Sequence, residues 1–218
     1  MIRLALLAVA SILVALPAHA DNNFGIAARA GTLGIGVEGT WRPPIPWLDF
    51  RFGANRYDYA DNGEFSGIPY DGTLALNTFY ATANVHFPLS PFRITAGIYE
   101  NGNELQLSST GSGTYDIGGI PFDAADVGTL TSVTAFAGKA PYLGFGFDFT
   151  VLNKVGLNLD LGVLWQGDPS VSLVADGVIA RDPLFQLALE QERRDIAAEV
   201  HDYKAWPVAA LGIVFNFL

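Results

Sequence analysis

The chain contains no cysteine and three histidines. The absence of cysteine rules out a cysteine nucleophile, a thiolate metal site and a disulfide. His19 falls in the N-terminal export segment described below, which leaves His86 and His201. His201 stands beside Asp202, and Ser170 and Ser172 lie in the same long stretch. These are the residue types that an enzyme hydrolysing or transferring lipid acyl chains would use as nucleophile, base and orienting acid. No Gly-x-Ser-x-Gly elbow accompanies them, and a lone histidine in a loop is ordinarily a solvated one. Carboxylates are scattered, and none follows the spacing of a calcium loop. The sequence therefore predicts no catalytic residue, no metal site and no cofactor. A different constellation stands out: Glu38, Asp49, Arg51, His86, Arg93, Asp148 and Asp160 all occupy one parity of alternating segments.

Those segments must position them. From Pro141 to Val151 the odd residues are Pro141, Leu143, Phe145, Phe147, Phe149 and Val151, and the even ones are Tyr142, Gly144, Gly146, Asp148 and Thr150. From Val155 to Trp165 the odd residues are apolar, and Gly156, Asn158, Asp160 and Gly162 fall between them. A period of two puts each set on its own face of a sheet. Each run has about the length a tilted strand needs to cross a bilayer. One face suits lipid and the other a polar barrel interior.

Residues 1–20 read as a cleaved export signal. Arg3 gives the positive start, Leu4 to Leu16 the apolar run, and Ala18-His19-Ala20 the small-residue cleavage site. Residues 21–218 are then one barrel domain. Acidic side chains outnumber basic ones by 22 to 12, which argues against a nucleic-acid partner. The C-terminal Leu211, Ile213, Phe215 and Phe217 alternate with smaller or polar residues, as in the closing strand that a barrel assembly machinery reads. Leu218 after Phe217 departs from the usual terminal Phe.

Short and long connections alternate. Short ones fall at Arg42–Trp47, Pro88–Pro91 and Leu152–Lys154, and long ones at Tyr57–Asp71, Glu100–Gly138 and Gly167–Asp202. Outer-membrane barrels place short turns in the periplasm and long loops outside. The predicted strands are Gly31–Trp41, Leu48–Tyr57, Thr73–Phe87, Phe92–Tyr99, Pro141–Val151, Val155–Trp165 and Tyr203–Leu218. An even count requires an eighth. Asn22–Ala30 supplies it, turning near Ala30-Gly31; the alternative is a strand hidden in Glu100–Gly138. The expected fold is all-β: a transmembrane, antiparallel, up-and-down barrel of eight strands. Aromatic girdles are expected from Trp41, Trp47, Phe87 and Phe92 at the turn end, and from Tyr57, Tyr99, Trp165, Tyr203 and Trp206 at the loop end. Pro183–Val200 breaks the period of two. Asp182 precedes Pro183 as an N-cap, and Leu184, Leu187, Ala188 and Ile196 share a face, so a short amphipathic helix should lie in the last external loop.

Hairpin arithmetic sets partners inside the barrel. A turn centred on Pro44-Ile45 pairs Glu38 with Arg51 and Thr40 with Asp49. The Pro88–Pro91 turn pairs His86 with Arg93, and the Leu152–Lys154 turn pairs Thr150 with Gly156 and Asp148 with Asn158. An eight-stranded barrel is just wide enough for its side chains to fill it, so these charges should pair into a plug or line a narrow polar path.

The runs Ala30-Gly31-Thr32-Leu33-Gly34-Ile35-Gly36, Leu48-Asp49-Phe50-Arg51-Phe52-Gly53, Gly97 to Asn103 and Gly162 to Pro169 resemble small proteobacterial outer-membrane barrels, the OmpA, OmpW and CarO group. That resemblance implies a multi-pass protein of a Gram-negative outer membrane, in contact with membrane lipid and lipopolysaccharide. It implies a structural or surface-interaction barrel, or a narrow channel for small solutes, and carries no catalytic motif. An enzyme modifying outer-membrane lipid is the competing class.

Overall fold

The computed structural model describes residues 23–65, 68–152 and 154–217. The expected export signal, residues 1–20, and Leu218 lie outside them. In chain order come β1 (Phe24–Gly31), β2 (Gly34–Trp41), β3 (Leu48–Phe65), β4 (Ile68–His86) and β5 (Phe92–Ser109). There follow β6 (Thr114–Ile117), β7 (Ile120–Asp123), the one-turn α1 (Ala124–Val127) and β8 (Leu130–Leu152). The chain ends with β9 (Val155–Trp165), β10 (Ser170–Ala175), α2 (Pro183–Val200) and β11 (Ala205–Phe217).

Eight strands close into a barrel. Antiparallel pairing runs β1–β2–β3–β4–β5–β8–β9–β11 and returns to β1, so the barrel closes within the apolar band, while beyond Arg56 β3 pairs with β4 alone. The N-terminal segment is thus the eighth strand. Its turn is Thr32-Leu33, two residues later than Ala30-Gly31. Thr32 fixes it: the backbone N–H donates to the Ala209 carbonyl, and the Thr32 hydroxyl donates to the Pro207 carbonyl and accepts from the Ala209 N–H. Leu33 folds inward and is buried.

Alternation reads directly as burial. In β1 the burial pattern switches residue by residue from Phe24 to Ala30. The outward set includes Phe24, Ile26, Val37, Phe52, Phe79, Ile94, Leu143, Phe145, Ile213 and Phe215, all exposed. Such an apolar band around the whole barrel is what a bilayer covers.

The wall is uneven in height. A membrane crossing needs roughly 9–11 residues, whereas β3, β4, β5 and β8 have 18, 19, 18 and 23. These strands continue as a ribbon beyond the apolar band, so much of the expected loops Tyr57–Asp71 and Glu100–Gly138 is sheet. Parity could not show this. Beyond the band the alternation is short and interrupted, as at Leu74 and Leu76 in β4 and at Leu105 and Leu107 in β5, and does not mark where the strands end.

A second small core lies over the tall side. β6, β7, α1, β10 and α2 bury Tyr115, Ile117, Val127, Leu173, Phe185, Ala188 and Leu189 against one another. The Asp182 carboxylate caps α2 by accepting from the Leu184 and Phe185 N–H groups. The helix is where the sequence placed it, and of its expected packed face Ala188 and Ile196 do meet the cap core, but Leu184 and Leu187 do not. Phe185, Ala188 and Leu189 turn inward, while Leu184 and Leu187 are exposed. Phe185 meets Phe122 edge to face at 5.1 Å and sets the helix rotation, a tertiary contact invisible to periodicity.

Candidate functional site: the barrel interior

The inward set assembles into one network. Glu38, Asp49, Arg51, Arg93 and Asp160 are buried, and His86 and Asp148 are about three-tenths exposed at the turn end. Arg93 is the hub. Its guanidinium donates to Asp148 (3.1 Å), Asp160 (2.5 Å), Asn84 (2.9 Å) and the Thr95 hydroxyl. Room for it comes from the facing strand, where a Cβ on Gly146 would lie 2.6 Å from Arg93 Cζ. Arg51 reaches Asp148 (2.7 Å), Asp49 (3.4 Å) and Glu38 (3.5 Å). His86 Nε2 is hydrogen-bonded to Asp49 Oδ2 at 2.6 Å, and Asn84 donates to Asp49 Oδ1 at 2.6 Å.

Sequence reasoning missed Arg29. It pairs with Glu38 and, at 3.0 Å, with Asp160, and it donates to the Tyr80 hydroxyl. The parity of Phe24, Ile26 and Ala28 held the signal, since it turns Arg29 inward. The expected Arg51–Glu38 pair is present at 3.5 Å, but Arg29 lies closer to Glu38, and Glu38 and Arg51 do not face each other directly across the hairpin. The register explains why: Thr40, not Glu38, faces Arg51, and Glu38 faces Gly53. The centre of the proline-rich turn lies one residue beyond the assumed Pro44-Ile45, which shifts the register by two, and an even register shift preserves parity while changing partners. The other hairpins have the expected partners: His86 with Arg93, Asp148 with Asn158, and Thr150 with Gly156.

Above the charges lies an aromatic layer. Tyr80 stacks on Tyr99 at 4.7 Å between ring centroids, and Tyr99 leans on Tyr142 at 5.3 Å. Leu33, Ala140, Leu164 and Val208 pack with them. A Cβ on Gly53 would meet the Tyr80 ring at 2.4 Å, so that strand too gives way to a bulky interior side chain. The Tyr80 hydroxyl donates to Glu38 (2.9 Å), tying the two layers. A pocket beneath Leu33, bounded by Arg29, Asn55 and Tyr99, has a volume of about 10 Å³, room for about one water.

Tyr99 therefore leaves the expected girdle: it is buried inside the barrel. Trp206 turns inward too, packing against the tyrosine layer. Tyr57 continues the inward parity of Asp49, Arg51 and Asn55 above the bilayer band. Trp41, Trp47, Phe87 and Trp165 are exposed on the outer face, with Phe92 against Phe87 at 5.4 Å. Tyr203 is exposed just before β11.

Two chemical alternatives can be weighed on geometry. Asp49, His86 and Asp148 come from three strands, and their ligand atoms lie within 4.8 Å of one another. No spacing in the sequence predicts this cluster. It has the donor types of a metal site, but Arg51 and Arg93 already neutralise its carboxylates and would repel a cation. At the other end, His201 faces Asp168 and Asp202, each at 3.5 Å. The Ser170 hydroxyl donates to the Ala135 carbonyl. Among the described residues these contacts do not assemble the serine–histidine pair that acyl transfer needs.

The comparisons agree with the architecture. No protein-family model matches the chain, and no curated protein matches it. Among solved structures, Acinetobacter baumannii CarO2 is 24% identical, with 89% of this chain and 98% of that one covered and a TM-score of 0.59. Acinetobacter baumannii CarO is 25% identical over 88% and 97%, with a TM-score of 0.58. Closed barrel, apolar band and this likeness together define an outer-membrane β-barrel. Within that class, the chain has the eight-stranded architecture of the CarO structures.

Proposed function

We propose that this protein is a sealed, non-enzymatic structural barrel that displays its folded cap for surface interaction, rather than an open channel for small solutes. The observation that carries this reading is the interior network. Arg29, Arg51 and Arg93 each bind at least two of the four interior carboxylates. Isolated buried charges are very costly, so such a set is stable only when mutually satisfied. The stacked tyrosines add an aromatic barrier across the same lumen. The contacts of His201 and Ser170 give no support to the lipid-modifying alternative.

On this reading the long connections and cap face the cell exterior, and lipopolysaccharide surrounds the barrel there. The aromatic alternation of β11 is the feature through which the assembly machinery would engage the chain. Liposome swelling tests the seal. Vesicles carrying the refolded barrel should swell in isosmotic glycine or arabinose no faster than protein-free vesicles. Swelling that rises with protein content would overturn the proposal in favour of the channel.

A further inference from the structure

The uneven wall leaves a notch. β1 and β2 stop at Gly31 and Gly34, while their neighbours β3 and β4 run far past them. Over this low hairpin lies a groove of about 320 Å³, at the small end of the roughly 300–1,000 Å³ typical of ligand pockets. Tyr57, Leu74, Leu76 and Trp206 line its inner side, and Ala30 and Ile35 its outer side. Ala30 and Ile35 are cross-strand partners on the lipid-facing side of the hairpin. Ile35 is 63% exposed and continues the apolar band through Val37. The groove therefore joins the lipid interface to the inner face of the tall ribbon.

The lining selects the occupant. Its lining side chains are mostly apolar or aromatic, and it is continuous with the lipid-facing band at Ile35, so a hydrocarbon chain can pass from the bilayer into it without giving up hydrogen bonds. We propose that the groove holds an acyl chain of a lipid from the surrounding bilayer, entering over the β1–β2 hairpin. This goes beyond the sealed-barrel reading and does not depend on it, because the groove lies above the plug.

Contact between Trp206 and acyl chains is the test. Trp41→Phe, Trp47→Phe and Trp165→Phe together leave Trp206 as the one fluorophore of the processed chain. The matching variant that keeps only Trp165 reports an outward, lipid-facing position. Both are reconstituted in phosphatidylcholine vesicles with brominated acyl chains, after heat-modifiable gel migration has shown that they are folded. Quenching of Trp206 comparable to that of Trp165, and its loss when Leu74→Glu makes the groove polar, is the expected result. An unquenched Trp206 beside a quenched Trp165, or quenching that survives Leu74→Glu, overturns the proposal. Should the variants not fold, the wild-type barrel is photolysed in vesicles whose phosphatidylcholine carries an acyl-chain diazirine. Adducts on Leu74, Leu76 or Trp206 support the proposal, and labelling confined to outward residues overturns it.

Discussion

Arg29 and Glu38 form the closest ion pair of the interior, and both are buried. Removing one member of a buried pair typically costs about 3–5 kcal/mol, because the other charge is stranded. Arg29→Met should destabilise the folded barrel by that order, and Glu38→Gln added to it should restore part of the loss. Urea unfolding of the four members of this cycle measures the coupling, and additivity of the two changes would contradict the pairing. Gly146→Ala makes a second residue-scale case. Its Cβ would lie 2.6 Å from Arg93 Cζ and 2.7 Å from the Leu159 carbonyl oxygen, and Arg93 is fully buried with no free direction. Overpacking of this kind costs about 1–3 kcal/mol, readable as a lowered urea midpoint; an unchanged midpoint would show that Arg93 has slack. At this scale, parity in the sequence revealed which charges turn inward, from Glu38 to Asp160. Hairpin neighbours were legible in part, but contacts across the lumen were not. Glu38, Tyr80 and Asp160 meet across the lumen from β2, β4 and β9, and no hairpin count reaches across a barrel.

At the scale of elements, α2 shows what a sequence discloses and what it withholds. The Asp182-Pro183 start announced the helix, since the carboxylate caps the free N–H groups and proline suits the first turn. Its rotation depends on Phe185 meeting Phe122, 63 residues earlier in the chain, and was not legible. Truncating a buried phenylalanine costs about 3–5 kcal/mol. Phe185→Ala should therefore loosen the cap without opening the barrel, because the cap core and the barrel interior share no buried residue. Limited trypsin digestion checks this: new cleavage at Arg193 and Arg194 is expected, with heat-modifiable migration of the barrel unchanged. Loss of heat modifiability would show that cap and barrel unfold together. The extension of β3 was likewise hidden, because its polar stretch from Asp58 to Glu64 carries no hydrophobic alternation.

At the scale of the molecule, the alternating strands were enough to infer a closed barrel, since a membrane tolerates no open edge. The uneven wall, the cap core and the lateral groove arise only when the strands are assembled. The central claim concerns the lumen: salt-bridged charges at the turn end and stacked tyrosines above them close it. Current through single barrels in a planar bilayer tests that claim most directly. Wild-type protein should give no stable unitary conductance steps, while a variant combining Arg93→Ala, Tyr99→Ala and Tyr142→Ala, if it inserts folded, should give them. Reproducible ohmic steps from the wild-type barrel would contradict the account.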